Sequence, residues 1–235
     1  MRIELPVVGY RKLSVADYPG RLCVALTVPG CNFRCPYCPH EELVHHHVPM
    51  EKIPVGDLLE SLYPRAGFLD AVTLTGGEPL LHKGLPDFLR EVKLLGFDLK
   101  LDTNASKPNA LRRLIQKRLV DYLSVHLVAP MERYREVSRS RVRVDRVRDS
   151  IQLVRRSGVP HEFTFTPVPG ILGSEDILEV SRTLAGSRRL VIKRLNPGEC
   201  MDPSLRDIKA YGDAELGALR DVAAPYFSEV EIERQ

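Results

Sequence analysis

Apolar positions along this chain gather into short runs, and the stretches between the runs carry helical spacing. Residues 23–28, 71–75, 98–102, 122–127, 161–166 and 190–195 are each compact, rich in Val, Leu, Ile, Thr or Phe, and bounded by Gly, Pro or Asn. That is the composition of short strands. Helices fit between them. Residues 55–62 follow Pro54, which suits a first helical turn. Residues 85–95 stop before Gly96, a natural left-handed terminator. Over 109–119, Leu111, Leu114, Ile115 and Leu119 share one face. Val144, Val147, Ile151 and Val154 recur at three and four until Gly158. Ser174 is placed to cap a helix over 175–184, with Glu175 and Asp176 favoured in its first turn. A helix over 213–222 and a final strand over 229–232 complete the series.

Strand followed by helix, six times over, argues for a mostly parallel sheet with crossover helices. Six strands are few for a closed eight-stranded barrel. The expected fold class is therefore α/β, an open, curved partial (β/α)6 barrel, forming one domain over residues 1–235. In such sheets ligands collect beyond the carboxyl ends of the strands, so the chemistry is sought just after each run.

Composition narrows the function classes. A chain of 235 residues buries a sizeable core without disulfide staples. Its 43% hydrophobic and 28% charged residues are ordinary for a globular protein, and a net charge of +3 is too small to argue for nucleic acid. The first residues lack an apolar signal region and no apolar run is long enough to cross a bilayer, so a cytoplasmic protein without membrane association is expected. Five cysteines are an odd number, and three fall within eight residues. That pattern reads as metal ligation in a reducing compartment rather than a disulfide framework.

Those three stand in Pro29-Gly30-Cys31-Asn32-Phe33-Arg34-Cys35-Pro36-Tyr37-Cys38, directly after the first predicted strand. Thiolates suit iron–sulfur clusters or zinc. Gly30 and Pro36 suit a loop that wraps one centre. A structural zinc site takes four protein ligands, and His40 or one of His45, His46 and His47 could complete it, giving a zinc-stabilised binding protein. A [4Fe–4S] cluster on three cysteines instead leaves one iron open for a small molecule. The run Val72-Thr73-Leu74-Thr75 leads into Gly76-Gly77-Glu78-Pro79. Paired glycines permit close backbone approach to a ligand, and the carboxylate and carbonyls can accept hydrogen bonds from an ammonium group.

The C-x3-C-x2-C loop after the first strand resembles the signature of radical S-adenosylmethionine (SAM) enzymes. The resemblance implies a radical SAM type partial barrel, with a cluster on Cys31, Cys35 and Cys38 whose open iron binds SAM. It implies reductive cleavage of SAM to methionine and a 5′-deoxyadenosyl radical, the protein supplying orientation and exclusion of water. Tyr37 matches the family's aromatic position near the adenine, and is otherwise a core aromatic. Gly76, Gly77, Glu78 and Pro79 match the motif that holds the methionyl amino group.

Further segments resemble glycyl-radical-enzyme activating enzymes, above all those of anaerobic ribonucleotide reductase. These are Leu13-Ser14-Val15-Ala16-Asp17-Tyr18-Pro19-Gly20, Asp102-Thr103-Asn104-Ala105, Val168-Pro169-Gly170 and Asn196-Pro197-Gly198-Glu199. By position, Asp102, Thr103 and Asn104 become candidate SAM contacts, although Asp102 also suits a turn cap. The implied partners are a glycyl-radical enzyme and a flavodoxin- or ferredoxin-type electron donor. One segment departs. Where many such activators end the fourth strand in Asp-x-Lys, this chain has His126-Leu127-Val128. An imidazole does not replace a lysine's fixed charge, so His126 holds SAM differently or the substrate differs. A small molecule, a nucleoside or tRNA is the alternative substrate class.

Other features carry less. Cys23 inside a strand reads as a core residue, and Cys200 after the sixth strand as a loop cysteine or a redox partner. His45-His46-His47 reads as a solvated loop or a metal site. The arginine-rich stretch 131–156 reads as an amphipathic helix with a charged face, or a docking surface for an acidic protein or RNA.

Overall fold

The computed structural model describes residues 3–45 and 50–233 of the chain. His46 and His47, and the side chain of His45, lie outside the described residues.

Eight strands form one sheet in chain order: β1 (Gly9–Ser14), β2 (Cys23–Val28), β3 (Ala71–Gly76), β4 (Asp98–Thr103), β5 (Tyr122–Leu127), β6 (His161–Phe165), β7 (Ser187–Ile192) and β8 (Phe227–Ile232). Neighbours from β2 to β8 pair in parallel, whereas β1 runs antiparallel to β2. Among the described residues β8 is not paired with β1, so the barrel stays open. The helices in chain order are α1 (Glu41–His45), α2 (Val55–Leu62), α3 (Leu85–Leu94), α4 (Pro108–Gln116), α5 (Tyr134–Ser138), α6 (Val144–Arg156), α7 (Ser174–Leu184) and α8 (Asp213–Ala223). The six strands β2 to β7, each followed by helix, are the expected (β/α)6 partial barrel.

Alternation along the strands builds two layers. One face turns to the helices, where Phe163, Phe165, Leu190 and Ile192 meet Val147, Ile151, Val154, Ile177 and Val180, all fully or almost fully buried. Burying each such side chain contributes roughly 1.5–3 kcal/mol. The opposite face turns inward and is polar: Lys100 and Asp102 on β4, Ser124 and His126 on β5, Thr164 on β6. The register sets these residues side by side, Asp102 opposite Ser124 and His126 opposite Thr164.

The elements differ from their predicted bounds in four physical respects. β1 escaped prediction because Gly9-Tyr10-Arg11-Lys12-Leu13-Ser14 shows no apolar alternation; it is an exposed edge strand whose charges guard it against further pairing. β7 ends at Ile192 rather than at 195, because Leu190, Val191 and Ile192 pair with Phe163, Thr164 and Phe165 and the chain then turns off. α4 ends at Gln116 rather than at 119, because Arg118 adopts φ 53°. Ser174 is the first residue of α7 and not its cap. The cap is Gly173, whose N–H is held by the Asp176 carboxylate at 2.9 Å.

Candidate active site

The cysteine loop leaves the end of β2 and is held by backbone from distant parts of the chain. Gly77 N–H donates to Val28 O at 2.9 Å and Glu78 N–H to Gly30 O at 2.7 Å. The two loops touch so closely that a Cβ at Gly77 would stand 2.1 Å from the Gly30 carbonyl oxygen, and one at Gly76, at φ 114°, 2.4 Å from the Val28 carbonyl oxygen. The glycine pair thus serves loop-to-loop contact, a use the sequence reading did not foresee. Arg34 N–H donates to Ser138 O at 2.8 Å, and its guanidinium donates to the carbonyls of Cys31 and Phe33, both at 2.7 Å. On the other side Met201 N–H and Asp202 N–H donate to Cys38 O and Pro36 O, both at 2.9 Å.

So fixed, Cys31, Cys35 and Cys38 line one cavity of about 420 Å³ at the carboxyl ends of the strands. As thiols all three are pushed up by burial, Cys31 to about 11. Cys31 Sγ receives the Phe33 N–H at 3.4 Å and the Asn104 amide at 3.7 Å. Cys23 and Cys200 are fully buried and do not line the cavity; the Cys200 thiol turns to the Asn196 carbonyl.

The predicted site residues fall in two groups. Tyr37, Gly76, Gly77, Asp102, Thr103, Asn104 and His126 line the same cavity as the cysteines. Tyr37 is almost wholly buried, donates its hydroxyl to Val128 O at 3.0 Å and meets the His126 ring edge-on at 6.3 Å. Glu78 and Pro79 do not line it. The Glu78 carboxylate is fully buried and accepts from Leu80 N–H at 3.0 Å, Thr103 Oγ1 at 2.8 Å and Asn104 N–H at 2.7 Å. It ties the loop after β3 to the loop after β4. Burial pushes it up to about 7 in spite of these donors.

The cavity also holds charges that the sequence reading missed. Lys100 donates to Asp102 at 2.7 Å and lies 3.9 Å from Glu162. Burial, its largest single influence, pulls the Lys100 ammonium down, but Asp102 and Glu162 outweigh it. Lys193, Arg194 and Glu199 enter from the chain beyond β7, and Lys193 pairs with Glu233. His126 is pushed down to about 4 by burial and then by Lys193, so it is neutral at pH 7, and its Nδ1 lies 3.0 Å from Thr164 Oγ1. Lysines thus enter the cavity from β4 and from the chain after β7, although none follows β5. The signal was the alternation itself, since Lys100 and Asp102 sit two apart in a strand and so share a face.

Among the described residues no three His, Cys, Asp or Glu side chains close to the spacing of one ion's ligands. Three soft donors line a shared cavity with His40 at its edge, and three thiolates in one loop suit a cluster with one open iron. The polar wall opposite them fits a ligand carrying an amino acid and a nucleoside.

Comparisons with known proteins agree with this donor set. The model of the radical SAM superfamily matches residues 26–184. A "Putative glycyl-radical enzyme activating enzyme" of Methanocaldococcus jannaschii is 28% identical over 233 residues, covering 96% of this chain and 95% of that protein. A GTP 3′,8-cyclase of Marinobacter nauticus is 26% identical, covering 64% of this chain and 42% of that protein. Among solved structures, Streptococcus suis SuiB bound to S-adenosylmethionine superposes with a TM-score of 0.67 at 17% identity, covering 89% of this chain and 52% of that one, a likeness of fold.

Proposed function

The chain belongs to the radical SAM superfamily, whose cofactors are a [4Fe–4S] cluster and SAM, and from that premise we propose that it is an activase that installs a glycyl radical on a partner enzyme. When bound, the cluster and SAM supply reductive cleavage to methionine and a 5′-deoxyadenosyl radical. In this reading Cys31, Cys35 and Cys38 hold the cluster. Asn104 steadies Cys31 through its amide. The backbone of Gly76 and Gly77 and the side chains of Asp102 and Thr103 bind the methionyl end, with Tyr37 beside the adenine. Neutral His126 orients through Thr164. Lys193, paired with Glu233, would supply a cation for the SAM carboxylate. Glu78 acts behind the wall as a positioning residue.

One observation carries the choice of activase: the likeness to the M. jannaschii protein runs over nearly the full length of both chains, whereas the cyclase likeness covers less than half of that enzyme. The substrate in this reading is a glycine loop of the partner, presented at the strand ends so that its Cα–H lies in contact with the adenosyl 5′ carbon. The test is isotopic. Reduced protein and SAM with an unlabelled candidate glycyl-radical enzyme are expected to give a doublet EPR signal on the partner; with the partner deuterated at glycine Cα, the doublet collapses and the label appears in 5′-deoxyadenosine. Label arriving instead from a nucleoside triphosphate or another small metabolite overturns the activase reading and leaves the family membership intact.

A further inference from the structure

Behind the loops that frame the cysteines lies a second cavity, of about 300 Å³, between the start of α3 and the start of α4, with α6 reaching its edge. Lys83, Lys107, Arg113 and Arg146 line it, and no carboxylate does. None of the four makes an ion pair or side-chain hydrogen bond among the described residues. The contrast with nearby arginines is sharp: Arg133, Arg139, Arg143 and Arg148 each stand within 4.0 Å of a carboxylate. Four cations around one hollow with no carboxylate in its lining repel each other and focus a positive field outward, an arrangement relieved by an anionic visitor.

The hollow backs directly onto the cysteine loop. His82, in its wall, has Nε2 2.8 Å from the carbonyl of Pro29, two residues before Cys31. Lys107 follows Ser106, whose hydroxyl accepts from the amide of Asn32, the neighbour of Cys31. The hollow shares no lining residue with the cavity at the strand ends. A protein seated here therefore lies close to the cysteines while leaving the substrate mouth free.

We infer that this basic hollow is where an acidic one-electron carrier protein, of flavodoxin or ferredoxin class, docks to reduce the cluster. The inference rests on membership of the radical SAM family and not on the activase reading, because each SAM cleavage draws one electron from outside. One electron leaves the reduced carrier for the oxidised cluster, and no atom is exchanged. Charge steering gives such short-lived complexes their rate without a large interface.

The test uses the anaerobically reconstituted full chain. Oxidised flavodoxin is titrated onto it by flavin fluorescence, with a ferredoxin in parallel, and 5′-deoxyadenosine formation is timed with reduced flavodoxin or with dithionite as reductant. The variant is Lys83→Glu with Arg113→Glu and Arg146→Glu. Lys107 is spared because its charge acts on buried Glu78. Wild-type affinity is expected to fall as salt rises from about 50 to about 200 mM. The variant is expected to lose about tenfold or more in affinity and in flavodoxin-driven rate, with an unchanged dithionite-driven rate. The milder pair Lys83→Gln and Arg146→Gln, which keeps the fold if the charge reversals do not, is expected to lose severalfold. Retained affinity for both carriers in these variants overturns the inference. Inorganic phosphate is titrated in parallel, and a loss confined to phosphate binding overturns the inference too, making the hollow a small-anion site. Absence of dithionite-driven cleavage in the wild type counts against the radical SAM chemistry and leaves the titration to decide the docking.

Discussion

At the scale of single residues, the decisive contacts are made by backbone and by buried polar groups. Gly77→Ala would drive a methyl group to 2.1 Å from the Gly30 carbonyl oxygen, so one loop must leave the other. We expect it to lower the unfolding free energy of the metal-free chain by about 3 kcal/mol or more, read by urea denaturation, and to abolish iron retention. Gly217, where a Cβ meets nothing within 4 Å and the backbone is not left-handed, provides the control for handling. His126 gives a pH signature. The unfolded chain protonates this ring near 6.5, whereas the folded one holds out to about 4. Its contribution to stability is whole above pH 6.5 and is lost as pH falls toward 4, the loss reaching about 2 kcal/mol at pH 5. His126→Gln should therefore flatten the fall in urea midpoint between pH 7.5 and pH 5. An unchanged slope would show that the ring is solvated. The cysteine spacing and the Gly-Gly pair were legible in the sequence because their chemistry is local. The turning away of Glu78 was not, because its three donors come partly from another strand end.

At the scale of elements, the inward faces of the strands form a connected charge network. Lys100 on β4 reaches Asp102 and Glu162, Tyr122 at the start of β5 donates to Glu162 at 3.2 Å, and Arg189 on β7 lies 3.6 Å from the same carboxylate. The network ties four neighbouring strands below the cavity floor. Lys100→Met leaves two carboxylates facing each other in a confined space, and we expect a cost of about 3 kcal/mol by urea denaturation. Adding Glu162→Gln should recover part of it, and strict additivity of the two changes would mean that the pair does not interact. The strand–helix order was readable because parallel strands carry dense apolar runs on their covered face. β1 was not readable, since an exposed edge strand needs no apolar pattern. Arg11 and Lys12 point the reading toward a loop.

At the scale of the whole molecule, the cysteine loop is gripped by segments far apart in the chain: Val28–Gly30 against Gly77 and Glu78, Arg34 against Ser138, and Pro36 and Cys38 against Asp202 and Met201. A cluster bound by the three cysteines stabilises this whole assembly by mass action, because only the folded loop presents all three thiols together. Amide exchange at Arg34, Met201 and Asp202 should therefore slow by about tenfold or more on reconstitution, measured by hydrogen–deuterium exchange. Protection confined to residues 31–38 would show that the grip is passive. No such long-range tether is visible in a sequence, since nothing in Met201 or Asp202 announces a carbonyl partner 163 and 166 positions earlier. The same tethers set a timetable for the cell. A ribosome exposes the cysteines early, yet at roughly 5–20 residues per second it delivers the stretch that clasps Pro36 and Cys38 on the order of ten to thirty seconds later. Throughout that interval the three thiols are present without their frame. Loading of the metal centre therefore belongs to the end of synthesis or after release, and a ribosome stalled before residue 200 would carry a nascent chain with its cysteines complete and its clasp still unmade.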